Sequence, residues 1–200
     1  MVTDDKRLLG PFPRPPMICY TRGKNLREEL CRARLPPARL RRGEESGFRR
    51  CRRPACRLCP YTGLQPGELL KSVKISSTSE NLKVKGRINC QTSNILYIGT
   101  CTKENRSSGT CPTRPQYAGE TGCTAEERFV GHRNSIVQDY HQGTSLPVGN
   151  HFQQSGHSVS DFMFTPVERI YSDNIFISKA RERNLINTLD LIQKGLNKQL

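Results

Sequence analysis

Arg128 and His132 stand four residues apart in TAEERFVGHRNSIVQDY. A helix there puts both side chains on one face, one turn apart. An arginine fork suits phosphate oxygens, and a neighbouring imidazole donates to the same phosphate or steadies a water. Taken alone, the pair reads more readily as a solvated arginine and a satisfied histidine. Tyr97 and Tyr117 each precede a glycine by two residues, in YIG and YAG. On strands, each tyrosine therefore shares a face with its glycine, and both phenols can leave one side of a sheet. Two core tyrosines would look the same. Glu182 precedes Leu185 by three residues and Leu189 by seven, on the inward edge of a second helix, where a carboxylate needs a partner. Mg²⁺ or Mn²⁺, held by one carboxylate with waters and substrate oxygens, is a partner that also serves phosphate chemistry.

The cysteines suggest a second kind of site. There are nine, and the N-terminus MVTDDKRLLGPFPRPP has no apolar segment of a secretory signal, so metal binding by thiolates is expected in place of a disulfide scaffold. Cys101 and Cys111 flank a polar loop, and His151 and His157 form an H-x5-H pair. Together they offer a Cys2His2 zinc set, although the C-x9-C gap is wider than usual. Cys51, Cys56 and Cys59 supply three thiols in C-x4-C-x2-C, with Cys90 as a fourth. The alternative for these is unliganded surface thiols. In RRCRRPACRLC this knuckle carries Arg49, Arg50, Arg52 and Arg53, which would face nucleic acid. Cys19, Cys31 and Cys123 have no assigned role.

These residues need elements to hold them. From Lys71, KSVKISS and LKVKGRINC alternate as the two strands of a hairpin. SNILYIGTC and PQYAGETG read as an antiparallel pair, and Thr124 with Glu127 forms a capping box that opens a helix with Phe129, Ile136, Val137 and Tyr140 at helical intervals. DFMFTPVERI is a third strand. SKARERNLINTLDLIQKGLN is a second helix, with Leu185, Leu189, Ile192 and Leu196 as its stripe. The order β-β-α-β-α predicts an α/β fold with a small three-stranded antiparallel sheet flanked by helices. Upstream, eight of the thirteen prolines fall within residues 1–60, and periodicity is weak apart from a short helix in KNLREELCRARL.

Charge narrows the partner. The 200 residues carry a formal charge of +14, and 16 of the 32 basic side chains lie in the first sixty residues. This imbalance favours a polyanion, nucleic acid above all, while a solvated basic tail is the plainer reading. No stretch approaches the roughly 18 apolar residues of a membrane span. A soluble, intracellular, nuclear protein is expected, with no membrane partner.

In order and spacing, Ile95-Leu96-Tyr97, Tyr117-Ala118-Gly119, Arg128-x3-His132, Glu182 and the Asn197 of GLN resemble the GIY-YIG nuclease superfamily. INCQTSNILY, YAGETG, RFVGHR, PVGNHFQQSGHS and GLN are most similar to the C-terminal endonuclease of Penelope-like retroelements. The chain departs from the pattern at Ala118 and Leu185. The resemblance implies a nuclease domain at 90–200, a strand-like connector at 61–89, and at 1–60 a largely irregular basic extension like the linker that follows such elements' reverse transcriptase. It further implies Mg²⁺- or Mn²⁺-dependent hydrolysis or nicking of DNA. Tyr97 or Tyr117 would be the base, Arg128 and His132 would stabilise charge, Glu182 would bind the metal, and Gly119 and Asn197 would shape the site. A tyrosine base needs a lowered pKa, for which a metal and Arg128 are the means. A reverse transcriptase acting in trans is an implied partner, and the Cys2His2 set has counterparts in that family. The competing expectation is a remnant that no longer cuts, whose zinc-braced basic surface still binds nucleic acid.

Overall fold

The computed structural model describes residues 45–103, 111, 114–137, 147–153 and 157–198. The helix expected over KNLREELCRARL, and Tyr140, lie outside them. The described chain is an α/β fold centred on a three-stranded antiparallel sheet. Its strands are β5 (Ile95–Cys101), β6 (Gln116–Thr121) and β7 (Phe162–Arg169), in the order β6-β5-β7. Helix α1 (Ala125–Val137) follows β6, a short α2 (Pro147–Phe152) precedes β7, and α3 (Ile175–Thr188) follows it.

Strand β5 is buried along all seven residues, as a central strand covered on both faces must be. One face carries Tyr97, Gly99 and Cys101. Opposite them stand Gly119, Tyr117 and, on β7, Phe164 and Phe162. Phe129 of α1 stacks parallel to Phe162 and lies edge-on to Phe164. Helix α1 begins where the capping box predicts. The Thr124 side chain accepts the Glu127 N–H at 3.2 Å, and Glu127 accepts the Thr124 N–H at 2.9 Å. Val137, expected on the buried stripe, is instead 65 % exposed.

Beyond the five elements of the central fold, the structure carries the expected hairpin and one further strand pair. Strand β1 (Gly47–Phe48) pairs parallel with β4 (Arg87–Ile88), and β2 (Ser72–Lys74) forms an antiparallel hairpin with β3 (Asn81–Lys83). Phe48, Leu58, Ile75 and Ile88 are buried in the same core as the central sheet. The residues from Glu45 thus have no separate core and complete that of the sheet.

Irregular chain docks on both edges of the sheet and pairs with part of each. On the β7 side, Lys85 accepts from the Arg169 N–H at 3.0 Å and donates its own N–H to Val167 at 2.8 Å. On the β6 side, Leu196 donates to the Gln116 carbonyl at 2.8 Å, and the Asn197 amide both accepts from and donates to the Ala118 backbone, at 2.9 and 2.8 Å. That approach explains Gly195, since a Cβ there would lie 2.6 Å from the Gln116 carbonyl oxygen. It also corrects the expected second helix. Helix α3 stops at Thr188, Asp190 takes φ +51°, and the chain turns back so that 195–197 reaches β6.

Candidate metal centres and the tyrosine face

The structure gathers the expected phosphate-site residues on one side of the sheet. Because β5 and β6 run antiparallel with Tyr97 opposite Gly119, the Tyr97 ring lies over that glycine, while Gly99, opposite Tyr117, is covered by the Phe162 ring. A Cβ on Gly119 would sit 2.5 Å from the Tyr97 hydroxyl, so only glycine fits. From α1, Arg128 Nε donates to the Tyr97 hydroxyl at 2.8 Å, and His132 Nε2 lies 2.8 Å from the same oxygen. Burial, then the Arg128 charge, pushes His132 down to about 3, so its imidazole is neutral. Its Nε2 accepts the phenolic proton while the phenol oxygen accepts from Arg128. Every member of the triad is satisfied by another.

This geometry overturns the catalytic reading in three ways. A tyrosine base needs its pKa lowered, but burial pushes Tyr97 well above the ordinary phenol value and raises Tyr117 as well, outweighing Arg128 at both. Tyr97 is fully buried. Glu182 was expected to hold Mg²⁺ or Mn²⁺. Its Oε1 instead accepts the Glu120 N–H at 3.1 Å and its Oε2 the Lys179 ammonium at 3.1 Å, and Lys179 also pairs with Glu120 at 2.8 Å. Finally, among the described residues, the groups of three or more side chains able to hold a metal are built from cysteine and histidine alone. Neither includes Glu182. The Mg²⁺-dependent endonuclease, and with it the hydrolase and retroelement-nuclease assignments, is therefore set aside in favour of thiolate and imidazole metal chemistry.

The first such group is Cys51, Cys56, Cys59 and Cys90, with all four sulfurs within 4.8 Å of one another. The parallel β1–β4 pair explains the long sequence gap. With Phe48 beside Ile88, the two chains leave in register and bring Cys51 to Cys90, while a 3₁₀ turn at Cys59–Tyr61 folds the other two thiols in. The sulfurs of Cys51 and Cys59 are 3.7 Å apart and those of Cys59 and Cys90 3.6 Å. A disulfide needs about 2.05 Å. Sulfurs at about 2.3 Å from a tetrahedral zinc stand about 3.8 Å apart, so the spacing is that of a ligand shell. Burial raises Cys56 to about 11 and moves Cys90 further up. At Cys59, burial is opposed and outweighed by hydrogen bonds from Cys56, Arg50, Cys90 and Cys51, and its pKa is lowered. A divalent cation would displace the thiol protons and hold the four sulfurs as thiolates.

The second group is Cys101, Cys111, His151 and His157. Cys101 ends β5, His151 sits on α2, and His157 precedes a 3₁₀ turn (Val159–Asp161) with its own capping box at Ser158. The two sulfurs are 3.5 Å apart, and Cys111 Sγ lies 3.7 Å from His151 Nε2. Burial lifts Cys101 to about 12 and keeps His151 in the neutral form that ligates metal. The ring nitrogens of His157 are both buried without a hydrogen-bond partner. Such an orphan costs about 1–3 kcal/mol, and a metal bond relieves it.

Around the first cluster the arginines form a basic wall. Arg49, Arg50, Arg52 and Arg53 line a cavity of about 420 Å³ together with Cys51, Cys56 and Cys59. Arg49 and Arg52 are exposed, whereas Arg50 donates to the Leu64 carbonyl at 3.1 Å. Arg53 pairs with Glu126 at 3.3 Å, and Glu126 also accepts the Arg57 N–H at 2.9 Å and Gln91 Nε2 at 2.6 Å. This carboxylate joins the cysteine knuckle to the first turn of α1. The sequence offered no signal for that role, since an acidic residue in a helix's first turn already has a local reason to be there.

No family model matches this chain, and no curated protein or solved structure matches it either. Its class therefore rests on its own features: an α/β fold with two zinc-type clusters. No helix among the described residues is long and apolar enough to cross a membrane.

Proposed function

We propose that this chain is a zinc-braced DNA-binding module that does not cut its ligand. The observation that carries this reading is the cysteine knuckle whose four arginines line one groove. It is supported by the net charge of +14. Zinc at Cys51, Cys56, Cys59 and Cys90 fixes the backbone of residues 51–59, so the arginines are presented from a rigid turn and lose little entropy on binding. Phosphates pair with the exposed guanidinium forks of Arg49 and Arg52, and the displaced counterions drive association. The second zinc ties the end of β5 to the start of β7.

The strand, strand, helix, strand, helix order supports a likeness to the GIY-YIG arrangement, here serving as a scaffold. Its tyrosine face is closed on itself and acts as core. Nuclear residence belongs to this same reading.

The test is duplex DNA binding followed by fluorescence anisotropy across a salt series. Arg52→Ala should weaken binding and reduce the slope of log affinity against log salt by about one. Chelation should weaken it further, and the DNA should be recovered intact from reactions containing Mg²⁺. Binding unaffected by both chelation and Arg52→Ala would refute the proposal, as would nicking that depends on Glu182.

A further inference from the structure

On the opposite side of the sheet from Tyr97 lies a cavity of about 600 Å³ that no function above uses. It opens between the β2–β3 hairpin, the 62–70 loop and the outer face of the sheet. Its floor is polar and deeply buried: Thr100, Gln116 and Thr165 are 5 %, 2 % and 1 % exposed. The Gln116 amide is fixed in place, donating to the Thr100 hydroxyl and the Lys74 carbonyl, each at 3.1 Å, and accepting the Ser76 N–H at 2.9 Å. Met163 and Leu70 add apolar wall, and Lys74 brings a cationic side chain at the rim. The volume falls within the range of small-molecule sites.

The position of this cavity points to its occupant. Thr62, Gly63, Leu64 and Glu68 line it, while Pro66 and Gly67 of the same loop line the arginine groove. The two cavities are thus neighbours across one loop. Gly63, at φ +68°, keeps that loop close to the cavity wall, since a Cβ there would lie 3.0 Å from the Met163 sulfur.

Building on the DNA-binding reading, we infer that the cavity receives one unstacked nucleotide of a single strand whose backbone runs along the arginine groove. The base would lie against Met163 and Leu70, a polarizable surface suited to a π face. Its polar edge would meet the Thr100 and Thr165 hydroxyls, and Lys74 would pair with the phosphate. A base held in a duplex cannot enter. The protein therefore prefers single-stranded to duplex DNA.

Anisotropy with a short labelled single strand and the matching duplex tests this. Wild type should bind the single strand about tenfold more tightly, the scale of one well-seated base. Thr165→Leu, which fills the floor, should remove most of that preference and leave duplex binding within about twofold. Lys74→Ala, at an exposed position whose backbone carbonyl is retained, checks the same point without disturbing the core and should weaken the single strand alone. Arg52→Ala should weaken both ligands. If both cavity variants bind the single strand as wild type does while Arg52→Ala weakens both DNAs, the inference falls and the DNA-binding reading stands. If wild type binds neither DNA, that reading falls and the inference with it.

Discussion

The tyrosine face and the cysteine clusters are both buried, polar and dense in reactive side chains, yet they stand in opposite states of satisfaction. Around Tyr97 the polar groups meet one another: Arg128 Nε donates to the phenol oxygen, His132 Nε2 accepts the phenol O–H, and Gly119 leaves room for the ring. Around Cys59 and His157 the accounts do not close. Buried thiols crowd one another at 3.5–3.7 Å, and an imidazole has two orphaned nitrogens. A residue pattern marks both places as chemically interesting. The second has the donor set and spacing of a metal-ligand shell. The difference shows that residue type nominates a site, while an unmet hydrogen-bonding or charge demand identifies it.

If that contrast is right, the two regions should respond differently to being broken. Cys59→Ser should have the largest effect, because three thiolates cannot close a tetrahedral zinc site. Zinc content should fall by one ion per chain, with a loss of about 3–5 kcal/mol or more on thermal unfolding. Unchanged zinc content would move the ion elsewhere.

Next comes acid. His132 is held near 3 against an ordinary 6.5, so the folded state refuses a proton that the unfolded state accepts. Its contribution is complete above pH 6.5 and is lost progressively as pH falls toward 3, a few kcal/mol in all at order of magnitude. Denaturant titrations across that window should show His132→Gln flattening the pH dependence. A parallel shift of wild type and variant would deny the histidine that role.

Tyr97→Phe should cost about 1–3 kcal/mol, since it orphans Arg128 and His132 together, without changing zinc content. Glu182→Gln should be the mildest. It weakens an ion pair with a half-exposed lysine, so about 0–1 kcal/mol is expected by chemical denaturation. It should leave DNA affinity and zinc content as they were.

The sequence made much of this molecule readable where local rules suffice. Strand-like runs that end in glycine placed β5 and β6, and Thr124 with Glu127 marked the start of α1. Spacing alone put Tyr97 and Tyr117 on one face. Cys51, Cys56, Cys59 and Cys90 were grouped by type, and the structure brings them together, as it does Cys101, Cys111, His151 and His157. What stayed hidden depends on tertiary contact. A pattern cannot show that Tyr97 is sealed from water, and burial reverses the pKa shift that catalysis required. The stop of α3 at Asp190 reflects the docking of Asn197 on Ala118, which outweighs a helical stripe. The parallel pairing of Phe48 with Ile88 joins segments forty residues apart, so Glu126 could not be recognised as the link between knuckle and helix.

The most direct measurement is the native mass of the purified, reduced chain under conditions that preserve folding. Two zinc ions per chain, falling to one in Cys59→Ser and in His157→Ala but remaining two in Glu182→Gln, is the predicted result. A folded chain that carries no zinc, or one whose bound metal disappears with Glu182, would contradict the account.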